Sequence, residues 1–371
     1  MEVALATGNE RQVWVNNYFS EYVRASGYKA YMGKDNNSII IIKYELQEEN
    51  GKTINIPLIT RLKGNGVTGS QVLDGNEEEL GNFNCPIVVD WRRNGVRVPK
   101  SASYKTEINL FDAAKMALKT WESEKLRDDV TKAFLQLVFA GSNLDTTFVD
   151  WASATAGNKN SWVVANADRV LFGATKSNYN ATFATALGNV DTTSDKATVA
   201  TMELGKRIAK AADPHIRPYK TEDGREFYVS FHGSRTFRDI KADASMQQVN
   251  RDARAREGNG MDKNPIFQDG DLIKDGIIYR EVPEIDALCT ALGGFDGQGA
   301  ASCDVRPIFL AGAQAVGVGW GQEPTPQTDL KKDYNFRPGV AIEELLGVRK
   351  LAFNGVQQGL VTIFVAAAAD S

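Results

Sequence analysis

Two stretches of the chain carry residue types at spacings that could do chemistry. The first is Gly64-x-Gly66-x-x-Gly69, with Asp90 further along. In a dinucleotide-binding fold such glycines let the backbone meet a pyrophosphate at a helix N-terminus, and an acidic residue about 20 positions on holds the ribose. That chemistry needs a helix directly after the third glycine. Here the chain continues SQVLDGNEEELGNF, in which Asp74-Gly75-Asn76 and Gly81-Asn82 break any helix packed on a sheet. No alternating strand–helix–strand pattern follows, so the run reads as an exposed glycine loop. The second stretch is Ser230-Phe231-His232, with Asp239 nearby as an orienting acid. A serine nucleophile with a histidine base needs a third group and an oxyanion hole converging in space. No GxSxG elbow is present, and His232 reads as a structural histidine at a strand end. His215, in Asp213-Pro214-His215, reads as a turn residue.

Two charged groups flank one glycine-rich excursion: Glu77-Glu78-Glu79 and Arg92-Arg93. Taken alone they are a solvated acidic tip and a basic hairpin turn. Taken together they are candidate inter-subunit contacts, opposite charges that set the register between copies. The three cysteines, Cys85, Cys289 and Cys303, are far apart, form no CxxC pair, and have only His215 and His232 as companions. Neither a disulfide framework nor a zinc site is expected, and a reducing compartment fits. No catalytic, cofactor-binding or metal-ligating set survives inspection, and no cofactor is expected.

A chain of 371 residues suggests two or three domains, and 42% hydrophobic residues are enough for a core. The formal net charge is -4. A protein that grips nucleic acid through its phosphates needs a basic excess, which is missing. The opening MEVALATGNERQ has no basic region followed by an apolar stretch, so no signal peptide is expected. No run approaches the roughly 18 apolar residues of a membrane span. The expectation is a soluble protein made in a cytoplasm.

The longest legible element is a helix from Thr106 to Ala140, with an apolar stripe through Leu110, Ala114, Leu118, Trp121, Val130, Phe134 and Leu137. Thr106 or Asn109 would cap its start and Gly141 its end. At about 1.5 Å per residue it would span roughly 45–50 Å. Before it stands a β excursion. Ile39–Leu46 and Ile54–Leu62 read as a hairpin turned by Asn50-Gly51, with Pro57 marking an edge or bulge. Gly64–Asn84 reads as an exposed tip, Pro86–Trp91 as a third strand, Arg92-Arg93-Asn94-Gly95 as a turn, and Val96–Val98 as the return. Met1–Asn37 reads as an arm, with a short amphipathic helix at Val13–Arg24. After the long helix come a helix at Val163–Phe172, a loop at Gly173–Thr193, and a helix capped by Ser194 and ending at Ala211. A turn at Glu222-Asp223-Gly224, a strand at Phe227–Phe231, a charged helix at Arg235–Arg256 and a loop and strand pair in Gly270–Val282 follow. A strand at Pro307–Leu310 and sheet or short helix at Ile342–Leu346, Leu351–Phe353 and Leu360–Val365 end the chain. The order is mixed α+β.

Four stretches, in this order, resemble the major capsid proteins of tailed double-stranded DNA phages, which adopt the Hong Kong 97 capsid fold. They are LKGNGVTGSQVLDGNEEELGNFNCPIVVDWRRNGV from Leu62, the helix after it, GREFYVSFHGSRTFRDIKAD from Gly224, and the tail FLAGAQAVGVGWGQE with IEELLGVRKLAF. The sequence looks most similar to the N-four-like podovirus sub-family. It departs at Gly233, where that pattern has a proline. The resemblance implies an N-terminal arm over 1–37 and an extended β loop with flanking strands over 38–105. It implies a peripheral domain of 106–194 plus 331–371 with a spine helix at 106–140, and an axial domain over 195–330. It further implies a shell protein without enzymatic activity that assembles with itself into hexamers and pentamers of an icosahedral head. Such a head encloses double-stranded DNA without sequence-specific binding and touches no membrane. Portal, scaffolding and decoration proteins are the further partners the resemblance admits. The protein would reside in the virion and assemble in the host bacterial cytoplasm. Two other readings stay open on sequence alone: the shell of an encapsulating compartment, and a nucleotide-dependent oxidoreductase.

Overall fold

The structure is a computed structural model and describes residues 26–47, 51–106, 109–141, 145–221, 224–249 and 272–370. The expected helix at Val13–Arg24, most of the arm, the Glu49-Asn50 step, the Glu222-Asp223 step and the end of the charged helix lie outside the described residues. The described residues group into two compact units, one of Trp91–Leu126 and Gln322–Leu345, the other comprising the rest.

The larger unit is organised on a sheet. Its strands run in the order Leu272–Lys274, Ile277–Glu281, Glu226–His232, Val305–Ala311, Leu360–Ala366, Val170–Phe172, and Tyr219–Lys220 pairs with Glu226–His232. The antiparallel pair Val305–Ala311 and Leu360–Ala366, in register Ile308↔Ile363, is buried at every residue. A strand covered on both faces needs a continuous apolar run, and LVTIFVA supplies one. One face is aliphatic. Ile308, Leu310, Val361 and Ile363 meet Val199, Met202 and Ile208 of helix Val199–Ala211, and Phe237 and Ile240 of helix Ser234–Ala242. The other face is aromatic. Phe364 stacks on Phe172 at 5.2 Å and meets Trp162 and Phe183 edge-on, while Phe309 stacks on Phe134 at 5.3 Å.

The smaller unit sets helix on sheet. The later part of Val316–Asp329, the earlier part of Gly339–Lys350, and Asp90–Arg97 lie side by side in that order. Ala114 and Leu118 of the long helix cover Val98, Val340 and Ile342, with Trp121 partly buried beside them.

Several expectations need correction. The long helix is Leu110–Leu135, 26 residues, so about 39 Å at 1.5 Å per residue. Asn109 caps it, its side-chain oxygen accepting the Asp112 amide at 3.3 Å. Leu137–Ala140 leaves the helix and pairs with Thr146–Val149, because LVFA and TTFV are β-forming residues that satisfy each other's backbone. Gly141 closes that hairpin, donating to the Asp145 carbonyl at 2.7 Å, and caps no helix. The hairpin of Ile39–Leu46 with Ile54–Leu62 does not form. Ile40–Lys43 lies parallel between Met32–Gly33 and Val316–Gly319. Thr53–Ile59 pairs instead with Asn82–Val88, in register Ile56↔Cys85, which puts Ile54 opposite Ile87 and Leu58 opposite Phe83. Nor is there a turn at Arg92–Gly95. Asp90–Arg97 is one strand, and Gly95 is there for close approach, since a Cβ on it would stand 3.1 Å from that of Ala341. Val163–Phe172 is split between helix Ala156–Ala165 and strand Val170–Phe172, and Gly173–Thr193 contains helix Phe183–Gly188. Thr198, not Ser194, caps the next helix by accepting the Thr201 amide at 3.2 Å, while the Ser194 hydroxyl donates to Asp191. The charged helix is broken at Asp243, with Ser234–Ala242 before it and helix again over 244–249, and no sequence signal marks helix Glu284–Leu292.

Two outcomes follow from this core. Phe364→Ala removes the ring on which four aromatic side chains converge, and should cost about 3–5 kcal/mol in urea unfolding. Lys350 is fully buried, donates to Gln357 Oε1 at 3.2 Å, and lies 5.8 Å from the Trp162 ring centroid. Burial lowers its pKa from 10.5 to about 7. A lysine with a depressed folded-state pKa binds its proton more weakly folded than unfolded. Stability therefore rises with pH between about 7 and 10.5 and is insensitive to this group outside that window. Lys350→Met should remove that slope and raise the urea midpoint most at the low end of the window.

Candidate functional site

The ribbon Thr53–Ile59 with Asn82–Val88 carries the loop that holds three of the five candidate residues. One face of the ribbon is completed within its own chain. Ile54, Cys85 and Ile87 are buried against Ile41, Leu351 and Phe353. The inner face of this ribbon is thus covered by its own chain. Glycines make the seat. A Cβ on Gly317 would stand 2.7 Å from Ile87 Cδ1, on Gly319 2.8 Å from Ile54 Cδ1, and on Gly347 2.2 Å from the Val88 carbonyl oxygen. Arg349 donates to the Pro86 carbonyl at 2.5 Å, which ties the strand backbone down from the side.

Beyond Ile59 and Asn82 the ladder stops. In residues 60–81, Leu62, Val72, Leu73 and Leu80 are each more than half exposed. Burying one such side chain is worth about 1.5–3 kcal/mol, so a partner covering several of them gains a substantial apolar contact. Glu78 has a role the sequence did not reveal. Its carboxylate accepts the Lys63 and Gly64 amides, each at 2.5 Å. Those two backbone hydrogen bonds, Lys63 first, hold its carboxyl below the usual range. It is the clamp of its own loop. Glu77 accepts the Gly75 amide at 2.7 Å, and Glu79 is exposed.

The two arginines part company. Alternation along Asp90–Arg97 sends successive side chains to opposite faces. Arg92 is half-buried, ion-paired with the buried Glu344 and 5.9 Å from the Trp121 ring centroid. Glu122 shares this seam, and its carboxyl is pushed up by burial first and by Glu344 second. Arg93 is exposed. The structure therefore spends Arg92 within its own chain and leaves Arg93, Glu77 and Glu79 facing solvent.

The sequence decoys resolve plainly. Gly66 and Gly69 have φ of +67° and +64° in exposed chain, and residues 70–81, directly after them, contain no helix. Ser230 Oγ and His232 Nε2 are 2.7 Å apart, but both residues are fully buried in the central sheet. Burial drives the His232 pKa down to about 3, so the ring stays neutral against Tyr279 and Phe237. Asp239 is engaged with Arg238 at 3.0 Å. The His215 ring meets the Ala212 carbonyl at 2.7 Å as part of a turn. Among the described residues no group of three His, Cys, Asp or Glu is placed to hold a metal, and no helix is long and apolar enough to cross a membrane. What this arrangement can do is present a loop of exposed apolar and acidic side chains from a firmly seated ribbon.

Comparison with known proteins gives that surface a context. A major capsid protein of Pseudomonas phage KPP25 is 25% identical over 387 positions, covering 98% of this chain and 97% of the relative. The capsid asymmetric unit of cyanophage Pam1 matches with 43% identity over the whole of both chains and a TM-score of 0.90. The capsid of Ralstonia phage GP4 matches over both full lengths with 20% identity and a TM-score of 0.73, a likeness of fold. The model of the phage capsid protein family covers residues 2–369. A mixed α+β fold shared with phage capsids and a family match over nearly the full length agree: the chain belongs to the phage capsid protein family.

Proposed function

We propose that this chain is the repeating shell subunit of an icosahedral phage head, a structural protein that assembles with itself into hexamers and pentamers around double-stranded DNA. The fold would be of the Hong Kong 97 type, in its N-four-like podovirus branch. In that scheme 1–37 is an N-terminal arm, 38–105 the extended β loop with its flanking strands, 106–194 plus 331–371 the peripheral domain, and 195–330 the axial domain. The helix Leu110–Leu135 takes the part of the spine.

The observation that carries this reading is the ribbon loop. Its base is buried on glycine-lined seats, yet residues 60–81 leave four large apolar side chains and a run of carboxylates exposed. A surface left in that state is completed by another chain. The membership in a capsid family makes that chain a second copy, with portal, scaffolding and decoration proteins as further partners. Strength then comes from many modest contacts repeated around a closed shell. A net charge of -4 suits a wall that encloses DNA without gripping it. A structural role, with no catalytic step, follows from the family type.

Reversing Glu77, Glu78 and Glu79 to Lys should abolish head formation, scored as particles by electron microscopy, while circular dichroism of the unassembled chain stays unchanged. Arg93→Glu alone should also impair assembly, and Arg93→Glu combined with Glu77→Lys and Glu79→Lys should recover part of it. Heads of normal number and size from the triple reversal would end the loop-contact reading.

A further inference from the structure

Where the loop leaves its ribbon, two cations reach back to one carboxylate far along the chain. Arg61 Nη2 stands 3.2 Å from Asp213 Oδ1, and Lys63 Nζ stands 2.5 Å from Asp213 Oδ2. The corner that receives them is fixed from behind. The Asp213 amide donates to Asp168 Oδ2 at 3.0 Å, and the fully buried Arg169 donates to the Pro214 carbonyl at 2.7 Å. Among the described residues, the hydrogen bonds of 64–81 stay within the loop itself or reach Thr60 and Lys63 beside it. Below the two ion pairs a shallow cleft lined by Leu58, Ile59, Phe83, His215, Phe353 and Val356 separates the ribbon from the corner. The loop thus leans on a single charged post across a gap that side chains do not fill.

We propose that Asp213 is a positioning residue for assembly. By gathering Arg61 and Lys63 it fixes the direction in which the unassembled subunit holds its loop, and so presents the tip to a second copy. This rests on the reading of the loop as an inter-subunit contact. The strength of the device suits the task. All three side chains are more than half exposed, and each exposed pair shifts an equilibrium only a few-fold. Two converging on one carboxylate bias the loop without locking it, and dissolved salt screens them. A neighbouring copy can therefore take over the loop at little cost. Asp213 keeps its charge throughout, because the Lys63 ammonium first and Arg61 second hold its carboxyl below the usual range.

The test is hydrogen exchange of backbone amides in the full-length, unassembled chain at low salt, read by mass spectrometry. Asp213→Ala should speed exchange across 60–81 about three- to tenfold, with the amides of Leu360–Ala366 unchanged as the control for folding. Asp213→Glu should restore the wild-type rate. Asp213→Lys together with Arg61→Glu and Lys63→Glu should also restore it, although each half of that swap fails. About 1 M salt should erase the difference between wild type and Asp213→Ala. Head formation by Asp213→Ala should be slower than wild type by a similar factor. Loop exchange unaltered in Asp213→Ala, or a charge swap no better than its halves, overturns the post. Faster loop exchange with heads formed at the wild-type rate overturns its part in assembly. Glu77→Lys with Glu79→Lys, which leaves the Glu78 clamp on the Lys63 and Gly64 amides intact, tests the loop contact separately, so the two failures are distinguishable.

Discussion

Two adjacent strands, Val305–Ala311 and Leu360–Ala366, have no side open to water. Every backbone polar group along them must be paired by protein, because an unpaired buried amide or carbonyl costs as much as a lost hydrogen bond. Their outer edges are closed by Glu226–His232 and Val170–Phe172, segments distant in sequence. Their faces are closed by two amphipathic helices on one side and by an aromatic layer on the other. This requirement, that a doubly covered strand pair be enclosed on four sides, dictates most of the larger unit. It also explains why the C-terminal segment must return to the middle of the fold.

The buried charges belong to the same logic. Arg306 sits inside one of these strands and is fully buried, held by Asp286 at 3.5 Å and Asp296 at 2.5 Å. Arg169 is as deeply buried and donates to the backbone carbonyls of Gln357 and Pro214. Groups of this kind add little net stability when paired, but leave a costly orphan charge if the surrounding strands shift register. They penalise wrong packings of a sheet whose apolar residues alone would tolerate several.

A strand was legible at 307–310, where burial on both faces produces an apolar run, while at 360–365 the same kind of run was open to sheet or short helix and is a strand in the structure. Partners were not legible, because alternation fixes the face a side chain takes and not the strand it meets. Two Asn-Gly steps show the limit. Asn50-Gly51 lies between strands that pair elsewhere, and Asn94-Gly95 lies inside a strand where the glycine serves close packing. The helix was read too far because LVFA continues an apolar stripe while preferring β geometry. At the site, the acidic run and the arginine pair stood out by composition. Their division of labour did not. Glu344, which takes up Arg92, and Asp213, which takes up Lys63, lie 252 and 150 positions away from them, and nothing local marks either one.

The loop's composition carries a consequence for subunits that have not yet met their neighbours. Residues 60–81 contain five glycines and four carboxylates, against four β-branched side chains, none of them isoleucine. An unpaired strand edge rich in valine and isoleucine would template adventitious sheets between copies in a crowded cell. Glycines spaced through the segment and a run of like charges at Glu77–Glu79 work against that fate. Repulsion between like-charged tips thus opposes edge-to-edge pairing of copies before the specific contact is made.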